Sequence, residues 1–348
     1  MKTNKVMVRL CGICLLVTLV VSQLWVTAPV LAAETYQLKF TGQWSEDNQQ
    51  SYPIRRWAKA LEERTGGRVK VTLYFNETLG KADTALDMIK SGAADIAGIA
   101  TAYFPKVFPI TDVGLLPNIV PNQAIGLEIL YATEYQGLMA KELADNGVKV
   151  LWWQTTDPAY IFFRKSKVTR LEDLKGLKIR TVAGPPVKTM QALGAVGVAL
   201  PGSEVYMALD RGTIDALCTS PSAIPMRKYQ EVTKYCLWYP TYGGQNMYAM
   251  TQKKWNSFPP DIQAIMSELN FRIKYDFLNE LWRTNSGTPE SVTKLGLEVY
   301  SLSPAEEGRW DAAIQPIYNE WLSEMKSKGF PGREALDLAK AIARLYKM

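Results

Sequence analysis

Apolar residues recur along the chain with two different spacings, and the order of these patterns predicts the fold. Strand-like patterns occupy residues 36–40, 69–75 and 94–100. Helical patterns that end at or near glycines fill the two intervals, at residues 51–64 and 82–90. Strands that alternate with helices in this way are typical of a doubly wound α/β sheet.

One segment of this unit recurs later in the chain. Residues 86–96 read LDMIKSGAADI and residues 206–216 read YMALDRGTIDA, each with a helix end, a glycine, two residues, an aspartate and a strand. We infer one such unit in each of two lobes, the alternative being chance recurrence of a common pattern. We interpret the aspartates as turn or cap groups rather than catalytic acids. The matched positions are Gly92 with Gly212 and Asp95 with Asp215.

The chain crosses between the predicted lobes more than once. A strand at residues 148–153 leads out of the first lobe, and one at residues 246–251 leads back. A helix that begins at Pro260 has its apolar residues on one face and is long enough to span both lobes. Such crossings form a hinge around a central cleft, where ligand sites are common. The predicted division is lobe I at 34–156 plus 246–284, and lobe II at 157–245 plus 285–348.

Residues 1–32 have the pattern of a secretory signal peptide. The basic residues Lys2, Lys5 and Arg9 precede an apolar run at residues 13–21, and small or aliphatic residues lead up to Ala32. The run is short for a membrane span of about 20 residues, although an uncleaved anchor is the alternative. We therefore predict a periplasmic protein that is cleaved near Ala32.

The composition argues against several kinds of site. The chain has no histidine, the commonest general base and transition-metal ligand. It has no G-x-S-x-G nucleophile turn and no phosphate-binding G-x-x-x-x-G-K-[ST] loop. Cleavage would reduce the basic residues from 40 to 37 against 34 acidic residues, a net charge of +3. We predict no nucleic-acid partner, no metal and no cofactor, and an enzyme would depend on carboxylates, lysine or tyrosine.

Two cysteines, Cys218 and Cys236, remain after the predicted cleavage. An exported protein can join such a pair. Both lie in or beside predicted strands, where cysteines are often too far apart or point apart. A disulfide and two free thiols therefore both stay open.

The most informative stretch of the chain is LKGLKIRT at residues 174–181. It predicts the end of a short helix, a glycine stop at Gly176 and a strand that carries Arg180 near its carboxyl end. In open α/β sheets, ligands bind in the crevice outside the carboxyl ends of the strands. A guanidinium group at that place is suited to a carboxylate. The alternative is a surface arginine in an ion pair.

These blocks resemble the solute-binding subunit of tripartite ATP-independent periplasmic (TRAP) transporters. The family pattern is DLKGLKIR followed by EVYxALxxGxxD, and this chain has DLKGLKIR at 173–180 and EVYMALDRGTID at 204–215. The resemblance continues in EVTKY at 231–235 and KKWNSFPPDIQ at 253–263. It implies an α/β type II periplasmic binding protein of two lobes, in which Arg180 clamps the carboxylate of the substrate.

Other candidate ligand contacts surround the predicted cleft. Thr219 and Ser220 follow the strand that begins near Asp215, so their hydroxyls either bind the ligand or cap the next helix. Tyr242 and Asn246 flank the pair Gly243–Gly244 on the return crossing, where glycines permit close backbone approach or hinge torsion. Asn246 either donates to the ligand or serves the hinge.

Three aromatic residues complete the predicted site. Tyr160 stands where the sialic-acid branch of the resembled family has a second arginine, which argues against a doubly charged or sugar-acid ligand. Trp153 is expected to form an apolar wall together with Tyr160, the alternative being core packing. Trp44 follows the first strand and is placed to close the cleft from the first lobe.

The sequence therefore predicts a binding protein rather than an enzyme. The resemblance implies capture of a small organic acid and its delivery to the small and large membrane subunits of a TRAP transporter. One strong cation and several aromatic residues favour a monocarboxylate with an apolar or aromatic portion. Two other classes stay open: a receptor that presents its ligand to a sensor or an ATP-driven permease, and an exported enzyme with a carboxylate base.

Overall fold

The structure is a computed structural model that describes residues 34–284 and 287–345, in which the chain forms two β-sheets flanked by helices. The signal peptide predicted for residues 1–32 lies outside the described residues. The strands are β1 (Tyr36–Thr41), β2 (Val69–Tyr74), β3 (Ile96–Ala100), β4 (Val148–Pro158), β5 (Tyr160–Phe163), β6 (Lys178–Thr181), β7 (Val196–Ala199), β8 (Ala216–Thr219), β9 (Tyr235–Leu237), β10 (Gly243–Thr251) and β11 (Glu298–Tyr300).

Twelve α-helices connect or cover these strands within the described residues. Short 3-10 turns at Ala82–Thr84, Thr101–Tyr103, Thr111–Leu115, Leu171–Leu174 and Tyr229–Glu231 accompany them. The helices are α1 (Ser51–Arg64), α2 (Ala85–Ser91), α3 (Gln123–Tyr131), α4 (Thr133–Asp145), α5 (Pro185–Ala192), α6 (Gly202–Asp210), α7 (Ala223–Met226), α8 (Gln252–Asn256), α9 (Pro260–Thr284), α10 (Pro289–Thr293), α11 (Pro304–Ser327) and α12 (Gly332–Leu345).

The first sheet has the strand order β2-β1-β3-β10-β4 and forms the centre of the first lobe. Strands β1 and β3 are parallel, with Phe40 opposite Ile96. Strand β10 runs antiparallel to both β3 and β4. Helix α1 connects β1 to β2 along the chain. Its residues Ile54, Trp57 and Leu61 form one buried face, as expected for an amphipathic helix. The predicted order of strands and helices in this lobe is confirmed.

The second sheet has the strand order β11-β9-β5-β8-β6-β7 and forms the centre of the second lobe. Strand β6 is parallel to both β7 and β8, and β5 is antiparallel to β8. The order β7-β6-β8-β5 matches β2-β1-β3-β10 of the first sheet in the chain order of its first three strands and in its antiparallel fourth strand, although β5 precedes its unit in the chain and β10 follows its own. The predicted repeat is a structural one, with one doubly wound unit in each lobe.

The repeated aspartates perform the same task in both lobes. Asp95 accepts a hydrogen bond from the backbone N–H of Lys39 at 2.8 Å, and Asp215 accepts one from that of Lys178 at 2.8 Å. Each aspartate also donates its own N–H to the carbonyl of the same lysine, at 2.9 and 2.8 Å respectively. In both units the glycine three residues earlier has a positive φ, 79° and 71°. The aspartates are turn groups, as interpreted, and each links the start of its own strand to the neighbouring parallel strand.

The two crossings between the lobes form one antiparallel ribbon. Strands β4 and β10 pair from Gly243 opposite Pro158 to Thr251 opposite Val148. The pairing continues beyond the strands, since Ala159 donates to the carbonyl of Tyr242 at 2.8 Å. The ribbon contains both predicted crossing strands, at residues 148–153 and 246–251. Gly243 and Gly244 have ordinary φ angles here, so close approach rather than left-handed torsion explains them.

A long helix does join the two cores, but it is not the predicted one. Helix α9, which begins at Pro260, packs on α1 and β4 of the first lobe. Helix α11 carries Trp310 and Ile314 in the core of the second lobe and Ile317 and Trp321 in that of the first. The buried face of α12 also belongs to the first core. The segment predicted as the end of lobe II is thus divided between the two cores.

The two cysteines are free and buried, and they lie on β8 and β9, the two strands that flank β5. Cys218 lies opposite Ile161 on one side of β5, and Cys236 lies opposite Phe162 on the other. Two strand spacings separate them, about 9.5 Å, which exceeds the reach of a disulfide. None of the helices within residues 34–284 and 287–345 combines the length and apolar character that crossing a membrane requires.

Candidate functional site

A cavity lies where the carboxyl ends of the parallel strands of both sheets meet. Trp44 follows β1, Tyr103 follows β3, Arg180 lies near the end of β6, and Ser220 follows β8. These are the positions at which open α/β sheets bind ligands. The cavity is small, about 100 Å³. This is less than the volume of an engineered cavity that binds benzene, about 150 Å³, so the cavity suits a small ligand.

Arg180 is held in this cavity by the backbone of the neighbouring strand. Its side chain donates through Nε and Nη2 to the carbonyl oxygen of Leu200, at 3.0 and 2.7 Å. Leu200 follows β7, which is paired to β6 beside Arg180. The bond fixes the plane of the guanidinium group, and Tyr103 forms a further hydrogen bond with the same side chain. The end of the group that is not bonded to Leu200 has N–H groups of the kind that match the two oxygens of a carboxylate.

The charge of Arg180 has no carboxylate partner in the described part of the chain. The residue is 4% exposed, and no Asp or Glu of residues 34–284 and 287–345 lies within ion-pairing distance of it. Burial acts to lower the pKa of Arg180, but the phenols of Tyr103, Tyr242 and Tyr229 outweigh it and raise the pKa above its usual value. The group is therefore a permanently charged, buried cation.

Hydroxyl groups surround Arg180 on the second lobe. Thr219 and Ser220 are buried at the end of β8 and line the cavity. The Ser220 hydroxyl lies 3.3 Å from that of Ser222, and no side chain caps the start of helix α7. The capping alternative for Ser220 is therefore not observed. Tyr242 also lines the cavity and donates its hydroxyl to the carbonyl of Cys218 at 3.3 Å.

The first lobe contributes a wall rich in hydrogen-bond donors. Gln43 donates to Oδ1 of Asn246 at 3.2 Å, which orients the amide of Asn246. Nδ2 of Asn246, Nε1 of Trp44 and the amide of Gln245 are buried without a hydrogen-bond partner in the described chain. Buried polar groups without a partner are rare in folded proteins. All four residues line the cavity, so the wall has spare capacity for a polar ligand.

Two predicted site residues lie elsewhere. Trp153 packs into the core of the first lobe, while its neighbour Trp152 stacks against Tyr248 on the other side of the sheet. Both positions are buried because helices cover both faces of this sheet, so strand alternation does not send either one to the cleft. Tyr160 stacks on Trp238 with ring centres 3.8 Å apart, within a core of the second lobe. Neither aromatic ring forms the predicted pocket wall.

The structure adds residues that sequence reasoning missed. Tyr103 and Tyr229 place phenols beside Arg180, and Arg227 brings a second guanidinium group to the cavity. Arg227 forms an ion pair with Glu77 of the first lobe at 3.4 Å. The internal repeat could have indicated Tyr103. This residue follows β3, and Ser220 follows β8, which is the counterpart of β3 in the second lobe. No comparable signal marks Arg227, which reaches the site through the folding of the segment after α7.

The described residues hold no group of three or more Cys, Asp and Glu side chains arranged to bind a metal ion. What the cavity assembles is one unpaired buried cation, several hydroxyls and a set of unpaired donors. This arrangement favours an anion with further polar groups.

Comparisons with known proteins agree with this geometry. The profile of the bacterial extracellular solute-binding proteins of family 7 matches residues 40–324. A solute-binding protein of Verminephrobacter eiseniae is 28% identical over 192 residues, which cover 55% of this chain and 57% of that protein. The C4-dicarboxylate-binding periplasmic protein DctP of Rhodobacter capsulatus is 25% identical over 312 residues, 84% of this chain and 88% of that protein.

A solved structure shares the fold of most of this chain. The TRAP solute-binding protein of Rhodoferax ferrireducens, crystallised with copurified benzoate, superposes with a TM-score of 0.80 at 24% identity. The superposition covers 90% of this chain and 99% of that one. The two-lobed α/β architecture is therefore one that TRAP solute-binding proteins adopt.

Proposed function

The chain belongs to the bacterial extracellular solute-binding proteins of family 7, the solute receptors of TRAP transporters, and from this premise we propose that it binds a small monocarboxylic acid through Arg180. As a member of this family it is a receptor for organic acids and not an enzyme. Its relatives take different acids, so the choice of ligand follows from the residues of this chain.

The observation that carries the proposal is the unpaired charge of Arg180. A buried guanidinium group without a counter-ion is costly, and a bound carboxylate removes that cost. The end of the guanidinium group that is not bonded to Leu200 would give the carboxylate a bidentate site. The second arginine of the cavity, Arg227, is already paired with Glu77, so one anionic group suffices.

The rest of the ligand would contact both lobes. Thr219 and Ser220 supply hydroxyls beside Arg180, and Trp44 and Asn246 supply donors from the opposite wall. Tyr242 adds a phenol ring to the apolar lining. A small ring or short chain with one carboxylate and one further polar group fits this lining and the small volume of the cavity.

The remaining parts of the proposal concern export and delivery. The protein would be cleaved near Ala32, act in the periplasm, and pass its acid to the small and large membrane subunits of a TRAP permease. The predicted secretory pattern of residues 1–32 and the family membership support this part.

Titration calorimetry on Arg180→Ala tests the proposal, first with benzoate and then with the best acid of a thermal-shift screen. We expect the variant to lose roughly 2–4 kcal/mol of binding, the scale of truncating one partner of a buried charge pair. Arg180→Lys should also bind weakly, because an ammonium group cannot replace the planar fork. Arg211→Ala, which removes an exposed arginine of the same lobe, is the matched control. Wild-type affinity in a folded Arg180→Ala would refute the proposal.

A further inference from the structure

We propose that Glu77 determines how many carboxylates the ligand carries, by acting as the built-in counter-ion of Arg227. This inference rests on the proposed function, since it assigns the charge preference of the same site. Glu77 belongs to the turn after β2 in the first lobe, whereas Arg227 follows α7 in the second lobe. Their ion pair therefore forms across the cleft.

The carboxylate of Glu77 is positioned by a strained turn. Asn76 and Glu77 have φ angles of 53° and 60°, a region that residues with side chains seldom occupy. The turn is held in place because Asn76 donates to the carbonyl of Trp44 at 2.7 Å and Glu77 donates to that of Gly42 at 3.1 Å. Such strain is concentrated at functional positions. Oε1 of Glu77 accepts from the N–H of Ala82 at 3.1 Å, which leaves Oε2 for Arg227.

Arg227 shares its surroundings with Arg180. It lines the same cavity, and its side chain is 17% exposed against 11% for Glu77. Burial raises the pKa of Tyr229 to about 12, and the charges of Arg180 and Arg227 both act against that rise. One phenol therefore lies within the electrostatic reach of both guanidinium groups. A ligand bound at Arg180 lies in the field of both as well.

The charge balance of the site follows from these contacts. Two guanidinium groups line the cavity, and within residues 34–284 and 287–345 Glu77 is the one carboxylate within ion-pairing distance of either. One positive charge is therefore left for the ligand. A second carboxylate on the ligand would have to compete with Glu77 for Arg227 and would leave one anion buried without a partner, which is unfavourable. With Glu77 neutral, Arg227 becomes a site for that second carboxylate.

Glu77→Gln tests this inference, because glutamine keeps the shape of the side chain and an oxygen acceptor for Ala82. Calorimetry would compare two matched pairs of acids, butyrate with succinate and benzoate with isophthalate, and report the ratio of their dissociation constants. We expect the ratio of dissociation constants to change in favour of the diacid by about tenfold or more. This is the scale of one buried charge pair, because Arg227 would pair with the second carboxylate of the ligand in place of Glu77. The ratio within a pair cancels any general effect of the substitution on lobe closure.

Glu204→Gln is the matched control. It removes another ion pair between the lobes, Lys81 with Glu204, whose side chains are 60% and 50% exposed and lie outside the cavity lining. We expect this variant to keep the wild-type ratio. An equal loss of affinity for both acids in Glu77→Gln would overturn the inference, and so would the same change of ratio in Glu204→Gln. Either result would mean that Glu77 only holds the two lobes together.

A double variant keeps the inference testable if Glu77→Gln alone is unstable. In Glu77→Gln/Arg227→Gln, both charges are gone, and we expect the preference for the monoacid to return. A persistent preference for the diacid would contradict the assignment of Arg227. The outcomes remain separate from those of the proposed function, which fails if Arg180→Ala binds acids normally, whatever the ratio in the Glu77 variants.

Discussion

At the scale of single residues, the proposed role of Arg180 depends on how its side chain is held. The carbonyl of Leu200 fixes the Nε and Nη2 side of its guanidinium group, and the Nη1 edge faces no carboxylate of the described chain. A donor whose orientation is fixed in advance loses little entropy when a ligand binds. The same fixation explains why a lysine at this position is expected to fail, since its ammonium group cannot serve Leu200 and a carboxylate with the same geometry.

Asp157 has a buried carboxyl group that lies at the hinge and not in the cavity lining. It is the penultimate residue of β4, 3% exposed, and its Oδ2 has no hydrogen-bond partner in the described chain. Burial raises the pKa of Asp157 to about 7. Hydrogen bonds from Ser222 act in the opposite direction and lower the pKa, but burial has the larger effect. The folded state therefore holds a proton on Asp157 at pH values where the unfolded chain has released it.

The sign of the resulting pH dependence follows from this raised pKa. The contribution of Asp157 to stability is fully present below the unfolded pKa near 4 and is lost as the pH rises toward 7. We expect Asp157→Asn, which cannot ionise, to gain stability relative to the wild type over that interval, by at most a few kcal/mol. Chemical denaturation of both proteins at about pH 5 and about pH 8 measures the difference.

The comparison between the two proteins isolates Asp157 from other buried acids. Burial also raises the pKa of Glu142 to about 7, but this group is present in both proteins and cancels in the difference. Stability curves that stay parallel from about pH 5 to about pH 8 would show that Asp157 does not titrate in this range.

At the scale of elements, local patterns predicted the fold well where one segment determines its own structure. Helix α1 begins at Ser51 and ends at Arg64 as predicted, because an amphipathic run is followed by two glycines. The repeat of helix end, glycine and aspartate predicted the unit that both lobes share, in which each aspartate bonds to the first strand of its unit, β1 or β6.

The same local reasoning could not predict contacts made by distant segments. It placed Arg180 correctly at the end of β6, since strand and motif lie in one segment. It missed the pair of Glu77 and Arg227, which are 150 residues apart and meet only across the cleft. It misplaced Trp153, because period-two alternation gives the two faces of a strand but not which of them is covered. Here helices cover both. It misplaced Tyr160, because a resemblance gives the position of a residue along the chain but not how its ring packs.

The ribbon between the lobes makes a prediction about glycine. A Cβ atom on Gly244 would come within 2.3 Å of Oγ1 of Thr156 on the paired strand. We expect Gly244→Ala to destabilise the protein by roughly 1–3 kcal/mol, the usual effect of overpacking. Thr156→Ala removes the clashing oxygen and leaves Cβ at 3.3 Å, so the double variant should recover much of the loss. Thermal and urea unfolding of the single and double variants measures both effects.

Gly137 provides the matched control for this substitution. It lies within helix α4, and nothing stands within 4 Å of a Cβ atom built on it. Gly137→Ala should leave the protein as stable as the wild type or slightly more stable, by about 0.4–1 kcal/mol, through the unfolded chain. A Gly244→Ala variant as stable as Gly137→Ala would mean that the ribbon tolerates a wider separation of its strands.

At the scale of the whole molecule, the two lobes meet around the cavity through contacts that opening would break. Glu77 pairs with Arg227 and Lys81 with Glu204 across the cleft, at 3.4 and 3.6 Å. We expect opening to bend the β4–β10 ribbon, which contains the two crossing strands. Helix α11 adds a third link between the cores. The arrangement is that of a hinge with a closed cleft.

Closure should depend on the ligand, because the closed form buries the charge of Arg180. Without a carboxylate this charge is unpaired, which disfavours closure, and a ligand shifts the equilibrium by its differential affinity for the closed form. We expect small-angle scattering to give a smaller radius of gyration with saturating acid than without it. Arg180→Ala should not show this decrease, because it lacks the group that couples the acid to closure, whereas the control Arg211→Ala should contract like the wild type. Identical scattering of the wild type with and without acid would indicate a cleft that is closed before binding. The unpaired charge of Arg180 would then not prevent closure of the free protein, which contradicts this prediction.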